Sequence, residues 1–266
     1  MRLPSSPFCV ITGAGGGFGR ALAIALGRRH GRLLVSDVAL EAARETARLA
    51  AAAGAAEVRA TGCDVSRLAE VEALAAACDG HIDLVVNNAG VSSGGLVGEL
   101  PIADWRWTLD VDLWGVIHGC HAFTPILRRQ GGGSILNVAA AAGFVAAPRM
   151  AAYNVAKAGV IALSETLAAE LAGTGVSVTV LCPTFFKSDV VSSGRFADPG
   201  TRAAAERMLA HGIGVDAVVS RALAAVERGS LYSVPMADGR WLWRAKRLAP
   251  GLYTRLLGGV VRRWFR

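Results

Sequence analysis

The feature that most constrains the fold of this chain is the alternation of short apolar runs with helical patterns. The strand-like runs include FCVITG, RLLVSD, GSILNVA and VSVTVLCP, and the helical patterns between them include GRALAIALGRR and LEAARETARLAAAAG. Strands that are apolar along their whole length are buried on both faces, which requires helices on both sides of a parallel sheet. The sequence therefore predicts an α/β fold with a doubly wound parallel sheet.

Length and composition favour one large domain followed by a tail. The chain has 266 residues, and 53% of them are hydrophobic, which is enough for a sizeable core. No linker rich in Pro, Gly or Ser divides it. We predict a single domain over 1–239 with a C-terminal extension over 240–266.

The extension carries the basic character of the chain. Eight of the 28 cations lie between Arg240 and Arg266, whereas none of the 21 acids does. The formal net charge of +7 therefore reflects this segment rather than the domain. Such a distribution does not indicate a nucleic-acid-binding domain, and we expect no nucleic-acid partner.

The sequence lacks the signals of secretion, membrane insertion and metal binding. The N-terminal stretch MRLPSSPFCVITG has no long apolar region, and no run of 18 apolar residues follows. Five cysteines without CxxC spacing favour reduced, buried thiols, so we expect a cytoplasmic protein. His118 and His121 have no Cys or Asp ligand at suitable spacing, so we predict no metal site.

A glycine-rich loop lies between the first strand and the first helix. Its sequence, TGAGGGFG, places Gly13, Gly17 and Gly19 where a chain must turn sharply, let a pyrophosphate approach the backbone, and pack a helix on a strand. The following helix, which includes Phe18, offers unpaired N–H groups to phosphates. Such a loop can also be only a turn, but its position between strand and helix favours a dinucleotide site.

An acidic residue, Asp37, ends the second strand. A carboxylate at this point accepts hydrogen bonds from an adenosine ribose and repels a 2′-phosphate, which favours NAD over NADP. The alternative is a cap for the helix that follows. The glycine loop favours the ribose role.

Three ordered motifs together resemble the short-chain dehydrogenase/reductase family. They are Thr12-Gly13-x3-Gly17-x-Gly19, the NNAG at 87–90, and Tyr153-x3-Lys157, and the resemblance covers about 8–235. It implies a Rossmann-type fold, NAD(P)-dependent oxidoreduction at a CH–OH group, and assembly into a homodimer or homotetramer. It also implies a substrate lid over about 188–214.

The resemblance assigns further cofactor contacts beyond the glycine loop and Asp37. Tyr153 and Lys157 would also contact the cofactor. Asp64 and Val65 would flank the adenine. Asn88, Ala89 and Gly90 would line the cofactor. Pro183, Phe186 and Ser188 would close over the nicotinamide.

The spacing of Tyr153 and Lys157 is that of an acid/base pair on one helix face. Residues four apart share a face. A tyrosine has a pKa of about 10, and a nearby ammonium or an oxidised nicotinamide favours its phenolate. The alternative is that Tyr153 packs in a helix interface while Lys157 is solvated. The accompanying cofactor motifs favour catalysis.

Two further positions depart from the family's catalytic tetrad. The serine expected thirteen residues before the tyrosine is Ala140, and the expected asparagine is Asp112. Asp112 could hold the relay water, or it could pair with Lys157 and weaken the field that acts on Tyr153. A missing hydrogen-bond donor to a developing alkoxide commonly costs about 10²–10³ in rate.

These observations leave two functional hypotheses. The first is an NAD-dependent oxidoreductase that interconverts a secondary alcohol and a ketone on an apolar substrate, with Tyr153 as acid/base, Lys157 as its activator and Asp112 in the relay. The second is an NAD-binding, catalytically weak protein that acts as a sensor or assembly component. One form of this hypothesis places the protein at a membrane.

The C-terminal extension reads as an amphipathic helix after Pro250. Leu252, Leu256, Val260 and Trp264 recur every four residues, and arginines occupy another face. Such a helix suits the interface of an anionic membrane. Docking on its own domain or on a sister subunit is the equal alternative.

Overall fold

The computed structural model describes residues 3–187 and 191–264 of the chain. Seven strands form one parallel sheet in the order β3-β2-β1-β4-β6-β7-β9, and β5 pairs with β8 in a separate small sheet. The strands are β1 (Phe8–Thr12), β2 (Arg32–Asp37), β3 (Glu57–Gly62), β4 (Leu84–Asn87), β5 (Ser93–Gly94), β6 (Gly133–Val138), β7 (Val176–Leu181), β8 (Arg195–Phe196) and β9 (Tyr232–Ser233).

Helices connect the strands and cover both faces of the sheet. They are α1 (Gly17–Gly27), α2 (Leu40–Ala52), α3 (Leu68–Ala76), α4 (Ile102–Leu109), α5 (Gly115–Gln130), α6 (Ala142–Val145), α7 (Ala151–Glu170), α8 (Pro199–Ala210), α9 (Val215–Glu227), α10 (Ala237–Leu248) and α11 (Pro250–Trp264). A π-helical turn, Asp110–Trp114, joins α4 to α5.

The central strand β1 is buried on both faces, as the predicted fold requires. Val10 packs in the apolar cluster that contains Phe123 of α5, and its neighbour Ile11 packs in the cluster that contains Leu22 of α1. Successive side chains of a strand point to opposite faces, so one apolar strand contributes to two cores. The predicted doubly wound α/β fold, with a helical C-terminal extension, is confirmed.

The strand order reverses direction between β1 and β4, which are neighbours in the sheet. In an open parallel sheet, this reversal opens a crevice beyond the carboxyl ends of the strands, and ligands bind there. The glycine loop follows β1, and Asn88 follows β4. Both therefore border this crevice.

Several elements of the structure were not predicted. They are the π-helical turn between α4 and α5, the short β5–β8 pair, and the helices α6, α9 and α10. The described part of the predicted lid, from residue 191, contains β8 and α8. Ser188 lies outside the described residues. Within the described residues, no helix is both long and apolar enough to cross a membrane.

Candidate active site

The glycine loop has a backbone that side chains would not permit. Gly13 and Gly17 have φ angles of +62° and +51°. A Cβ on Gly13 would lie 2.4 Å from the Cα of Ala89, and one on Gly19 would lie 2.5 Å from the carbonyl oxygen of Gly13. Glycine at these positions therefore lets β1, α1 and the loop after β4 pack closely.

The start of α1 fits the phosphates of a dinucleotide. No side chain caps this helix at Gly16, and a Cβ built on Gly16 would meet nothing within 4 Å. The N-terminus of the helix therefore has open space beside it and no side-chain cap, and a pyrophosphate there could accept hydrogen bonds from the first N–H groups. The side chain of Phe18 is buried in the core, so this residue has only its backbone to offer to a cofactor.

Asp37 lies against the glycine loop at the end of β2. One carboxylate oxygen accepts a hydrogen bond from the N–H of Gly15 at 2.8 Å, and the other accepts one from the N–H of Ala39 at 2.9 Å. The second bond is that of a turn leading into α2, but Ala39 is the N-cap of this helix and no side chain caps it, so the alternative role of Asp37 as a helix cap is not found. The nearby Arg20 donates to Thr46 at 3.0 Å and to the carbonyl of Gly15, which leaves its guanidinium engaged.

Asn88 and Thr12 join the ends of β4 and β1. The amide of Asn88 donates to the carbonyls of Thr12 and Gly13 at 2.9 and 2.8 Å. The hydroxyl of Thr12 accepts the N–H groups of Asn88 and Ala89 at 3.1 and 3.3 Å. These bonds fix the two loops that border the crevice. The structural role of the Thr12 hydroxyl was not predicted, although a buried polar residue at a strand end is a signal for it.

The other predicted cofactor residues follow the strands at the same edge of the sheet. Asp64 accepts bonds from the N–H and hydroxyl of Ser66 at 3.0 and 2.7 Å. Val65 is buried after β3. The carbonyl of Pro183 accepts the N–H of Ala141 at 2.8 Å, and Phe186 forms a β-bridge with Ile213.

Asp112 and Lys157 form a buried ion pair beneath this edge. Asp112 is 0% exposed and Lys157 is 3% exposed. The Lys157 Nζ lies 3.2 Å from Asp112 Oδ2 and donates to the carbonyl of Val138 at 3.3 Å. Asp112 Oδ1 accepts the N–H of Val91 at 2.7 Å. Asp112 lies in the π-helical turn, a rare geometry that occurs frequently at functional sites.

Tyr153 and Gly90 complete the cluster around this ion pair. The ring centre of Tyr153 lies 5.4 Å from the Lys157 Nζ, and the residue is half-buried. A Cβ on Gly90 would lie 3.4 Å from Asp112 Oδ1 and 3.5 Å from the Lys157 Nζ. The structure therefore brings together the three predicted catalytic residues and the NNAG loop.

The surroundings of Tyr153 favour its protonated form. Burial raises the pKa of Tyr153, and the negative charge of Asp112 raises this pKa further. Burial also raises the pKa of Asp112, while Lys157 and the N–H of Val91 act in the opposite direction. Tyr153 therefore keeps its proton in this environment, and ionisation of its hydroxyl requires an additional positive charge nearby.

No hydroxyl replaces the serine missing at Ala140 among its polar sequence neighbours. Ser134 bonds to the hydroxyl of Ser177 at 2.9 Å, and Asn154 donates to the carbonyl of Ala147 at 2.7 Å. Asn137 is engaged in a buried network: it accepts from Asn87 at 2.8 Å and donates to Ser164 at 3.0 Å. This network, which links β4, β6 and α7, was not predicted.

A largely apolar cleft of about 860 Å³ lies between α8, α9 and the start of α10. Its apolar lining comes mainly from Phe185, Met208, Ile213 and Met236. Tyr153 does not line it. Thr184, which lines the cleft, directly follows Pro183, whose carbonyl accepts the N–H of Ala141.

The sequence profile of the short chain dehydrogenase family matches residues 8–197. The chain belongs to this family. SadH, a putative oxidoreductase of Mycobacterium tuberculosis, is 39% identical over 71% of this chain and 70% of its own length. D-threitol dehydrogenase of Mycolicibacterium smegmatis is 36% identical over 76% of this chain and 84% of its own length.

Solved structures of the short-chain family agree with the fold. A short-chain dehydrogenase/reductase from Burkholderia phymatum in complex with NAD has a TM-score of 0.86 and 32% identity, and the match covers 93% of this chain and 95% of that one. A short-chain dehydrogenase from Sphingobium yanoikuyae in complex with NADPH has a TM-score of 0.78 and 26% identity, with the same coverage. This chain is thus a short-chain oxidoreductase. One of these two structural neighbours was solved with NAD and the other with NADPH.

Proposed function

We propose that this protein is an NAD-dependent oxidoreductase that interconverts a secondary alcohol and a ketone on an apolar substrate. The observation that carries the proposal is the position of Tyr153 beside the buried Lys157–Asp112 pair, at the edge of the sheet bordered by the glycine loop. The catalytically weak alternative has less support, because the named relatives are oxidoreductases.

Tyr153 acts as the general acid or base in this proposal. A bound nicotinamide supplies the hydride acceptor or donor. In ketone reduction, the Tyr153 hydroxyl donates its proton to the substrate oxygen. The raised pKa keeps that proton on Tyr153 before the reaction, and the ammonium of Lys157 stabilises the phenolate that forms. In alcohol oxidation, the phenolate of Tyr153 takes the hydroxyl proton of the substrate, and the positive charge of the oxidised cofactor helps form that phenolate.

The charges of Lys157 and Asp112 act in opposite directions on the ionisation of Tyr153. Lys157 attracts the phenolate, whereas Asp112 opposes it and keeps the ammonium of Lys157 in place through the 3.2 Å contact. Asp112 is itself oriented by the N–H of Val91. We assign Asp112 to the positioning of Lys157 and to the proton relay, where the family has asparagine.

Ala140 leaves the substrate oxygen one hydrogen-bond donor short, so we expect the native protein to be slow. Replacing Ala140 with serine should raise turnover by about 10²–10³-fold, since this is the usual value of one such donor. The assay is NADH formation from NAD with a panel of apolar secondary alcohols. Ala142→Ser, which adds a hydroxyl two residues away, is the matched control. An Ala140→Ser variant no faster than this control would contradict the role given to position 140.

Asp37 supports a preference for NAD. Its carboxylate lies beside the glycine loop, and the neighbouring cation Arg20 is already engaged. The Asp37→Ser variant should lower the ratio of kcat/KM for NAD to that for NADP by at least about tenfold, because a repulsive charge is removed. Steady-state kinetics with both cofactors measure this ratio. An unchanged ratio would exclude Asp37 as the determinant of cofactor choice.

The largely apolar lining of the cleft supports an apolar substrate.

The surface of α5 and α7 supports self-association. A groove of about 560 Å³ between these helices is lined by residues that include Ile117, His121 and Leu163. We propose a homodimer or homotetramer that forms through this surface, as is common in the family.

A further inference from the structure

The C-terminal helices are attached to the domain by one face each. Trp243 of α10 stacks on Phe144 of α6 with ring centres 5.6 Å apart, and it contacts the ring of Tyr232 at 4.8 Å. Tyr253 of α11 donates a hydrogen bond to the carbonyl of Val145 at 3.0 Å. These contacts settle the orientation of both helices and therefore determine which of their residues face outward.

Large apolar side chains cover the outward faces. Trp241 and Leu248 of α10 are 75% and 86% exposed. Leu252 and Leu256 of α11 are 59% and 64% exposed. Exposed apolar residues that cluster on adjoining helices mark an interaction surface, unlike single ones scattered over a protein. We call these four residues the outer apolar face.

Cations flank the outer apolar face on both helices. Arg244 lies between Trp241 and Leu248 at helical spacing, and Arg255 lies at the border of the leucine face, three residues after Leu252. Both arginines are exposed, and none of the ion pairs found among the described residues involves a cation of the extension. The surface thus combines apolar side chains with positive charge that no ion pair of the described residues neutralises.

This combination determines the kind of partner. A bilayer with anionic headgroups accepts apolar side chains below the headgroup level and pairs with long cationic side chains at that level. A second copy of the chain fits less well, because a two-fold interface would bring two sets of the same cations together, and the segment from Arg240 to Arg266 has no acid to pair with them. Tryptophan is also enriched at membrane interfaces.

We propose that the outer apolar face of α10 and α11 binds the surface of an anionic lipid bilayer, with the domain held outside the membrane. This inference concerns binding alone and is independent of the proposed reaction. The helix that carries part of this surface begins at the cleft: Asp238 at the start of α10 accepts a hydrogen bond from Thr184 at 3.1 Å, and both residues line the cleft.

Co-sedimentation of the full-length protein with vesicles tests the proposal. The probes are vesicles of phosphatidylglycerol and phosphatidylcholine, compared with vesicles of phosphatidylcholine alone. We expect binding to the anionic vesicles that weakens as salt is added, and at least about tenfold weaker binding to the neutral ones.

Two variants assign the binding to the outer apolar face. The triple variant Leu248→Ser/Leu252→Ser/Leu256→Ser should bind anionic vesicles at least about tenfold more weakly, since each leucine contributes buried apolar area only when bound. Val97→Ser/Ile102→Ser, which alters comparably exposed residues outside the extension, is the matched control and should bind like the parent. Arg244→Gln/Arg255→Gln should lose affinity for anionic vesicles, with little change for neutral ones.

Several outcomes would overturn the proposal. One is a parent protein that does not sediment with anionic vesicles, and another is a folded triple variant that binds as well as the parent. Circular dichroism checks folding, and if the triple variant does not fold, unchanged binding of the arginine variant decides against the proposal. Analytical ultracentrifugation tests whether a second copy of the chain covers the face instead. If the leucine substitutions dissociate an oligomer and the parent does not bind vesicles, the face is assigned to a second copy.

Discussion

Replacing Tyr153 with phenylalanine should lower turnover by about 10²–10⁴-fold, the usual contribution of a positioned acid or base. The variant keeps the aromatic ring, whose centre lies 5.4 Å from the Lys157 Nζ, and loses only the hydroxyl that exchanges the proton. The loss should therefore appear in kcat, while the affinity for NAD measured by calorimetry stays close to that of the parent. NADH formation from apolar secondary alcohols provides the rate.

The chain offers a matched control for this variant. Tyr253→Phe also removes one phenolic hydroxyl, but this hydroxyl bonds to the carbonyl of Val145 near the C-terminal helices. We expect Tyr253→Phe to retain the activity of the parent. If Tyr153→Phe retained it as well, Tyr153 would not be the acid or base, and the catalytically weak, NAD-binding interpretation would gain support.

Replacing Lys157 with methionine should both abolish turnover and destabilise the fold. The methionine keeps the length of the side chain but leaves the carboxylate of Asp112 buried without its cation, a change that costs about 3–5 kcal/mol. Denaturant-induced unfolding measures the stability, and NADH formation measures the activity. The double variant Lys157→Met/Asp112→Asn should recover most of the stability, because it removes both charges, yet it should remain inactive.

The cost of the Lys157→Met substitution should depend on pH in a defined direction. Burial raises the pKa of Asp112, and loss of Lys157 removes an opposing influence, so the folded variant binds the Asp112 proton more tightly than the unfolded chain does. The loss of stability caused by the unpaired Asp112 charge is therefore absent below the pKa that Asp112 has in the unfolded chain. It is complete above the pKa that Asp112 has in the folded variant. A penalty that grew as the pH fell would show that the buried charge of Asp112 is not its cause.

Much of the fold followed from local sequence patterns. The alternation of apolar runs and helices predicted the parallel sheet, because the burial of a strand on both faces is visible in its composition. Asp112 was considered as a partner of Lys157, and the structure shows this pair at 3.2 Å. The pair was accessible from sequence because the family resemblance located both residues at one site.

Other features depend on contacts between distant segments and could not be read locally. The two-residue strands β5 and β8 are too short to leave a periodic signal, and their pairing depends on where the segment after β7 returns to the domain. The docking of α10 rests on Trp243 meeting Phe144 and Tyr232, whereas the sequence showed only a basic segment containing tryptophan. The Asn87–Asn137–Ser164 network likewise joins three elements whose proximity only the folded chain reveals.

The most direct test of the proposed activity is to follow the hydride itself. The native protein is incubated with NAD and apolar secondary alcohols that carry deuterium at the carbinol carbon, and the mass of the reduced cofactor is measured. The proposal predicts reduced cofactor that contains one deuterium, together with the ketone, and labelled cofactor formed about 10²–10⁴-fold more slowly by Tyr153→Phe. Reduced cofactor without the label, or ketone formed without reduced cofactor, would contradict direct hydride transfer at this site.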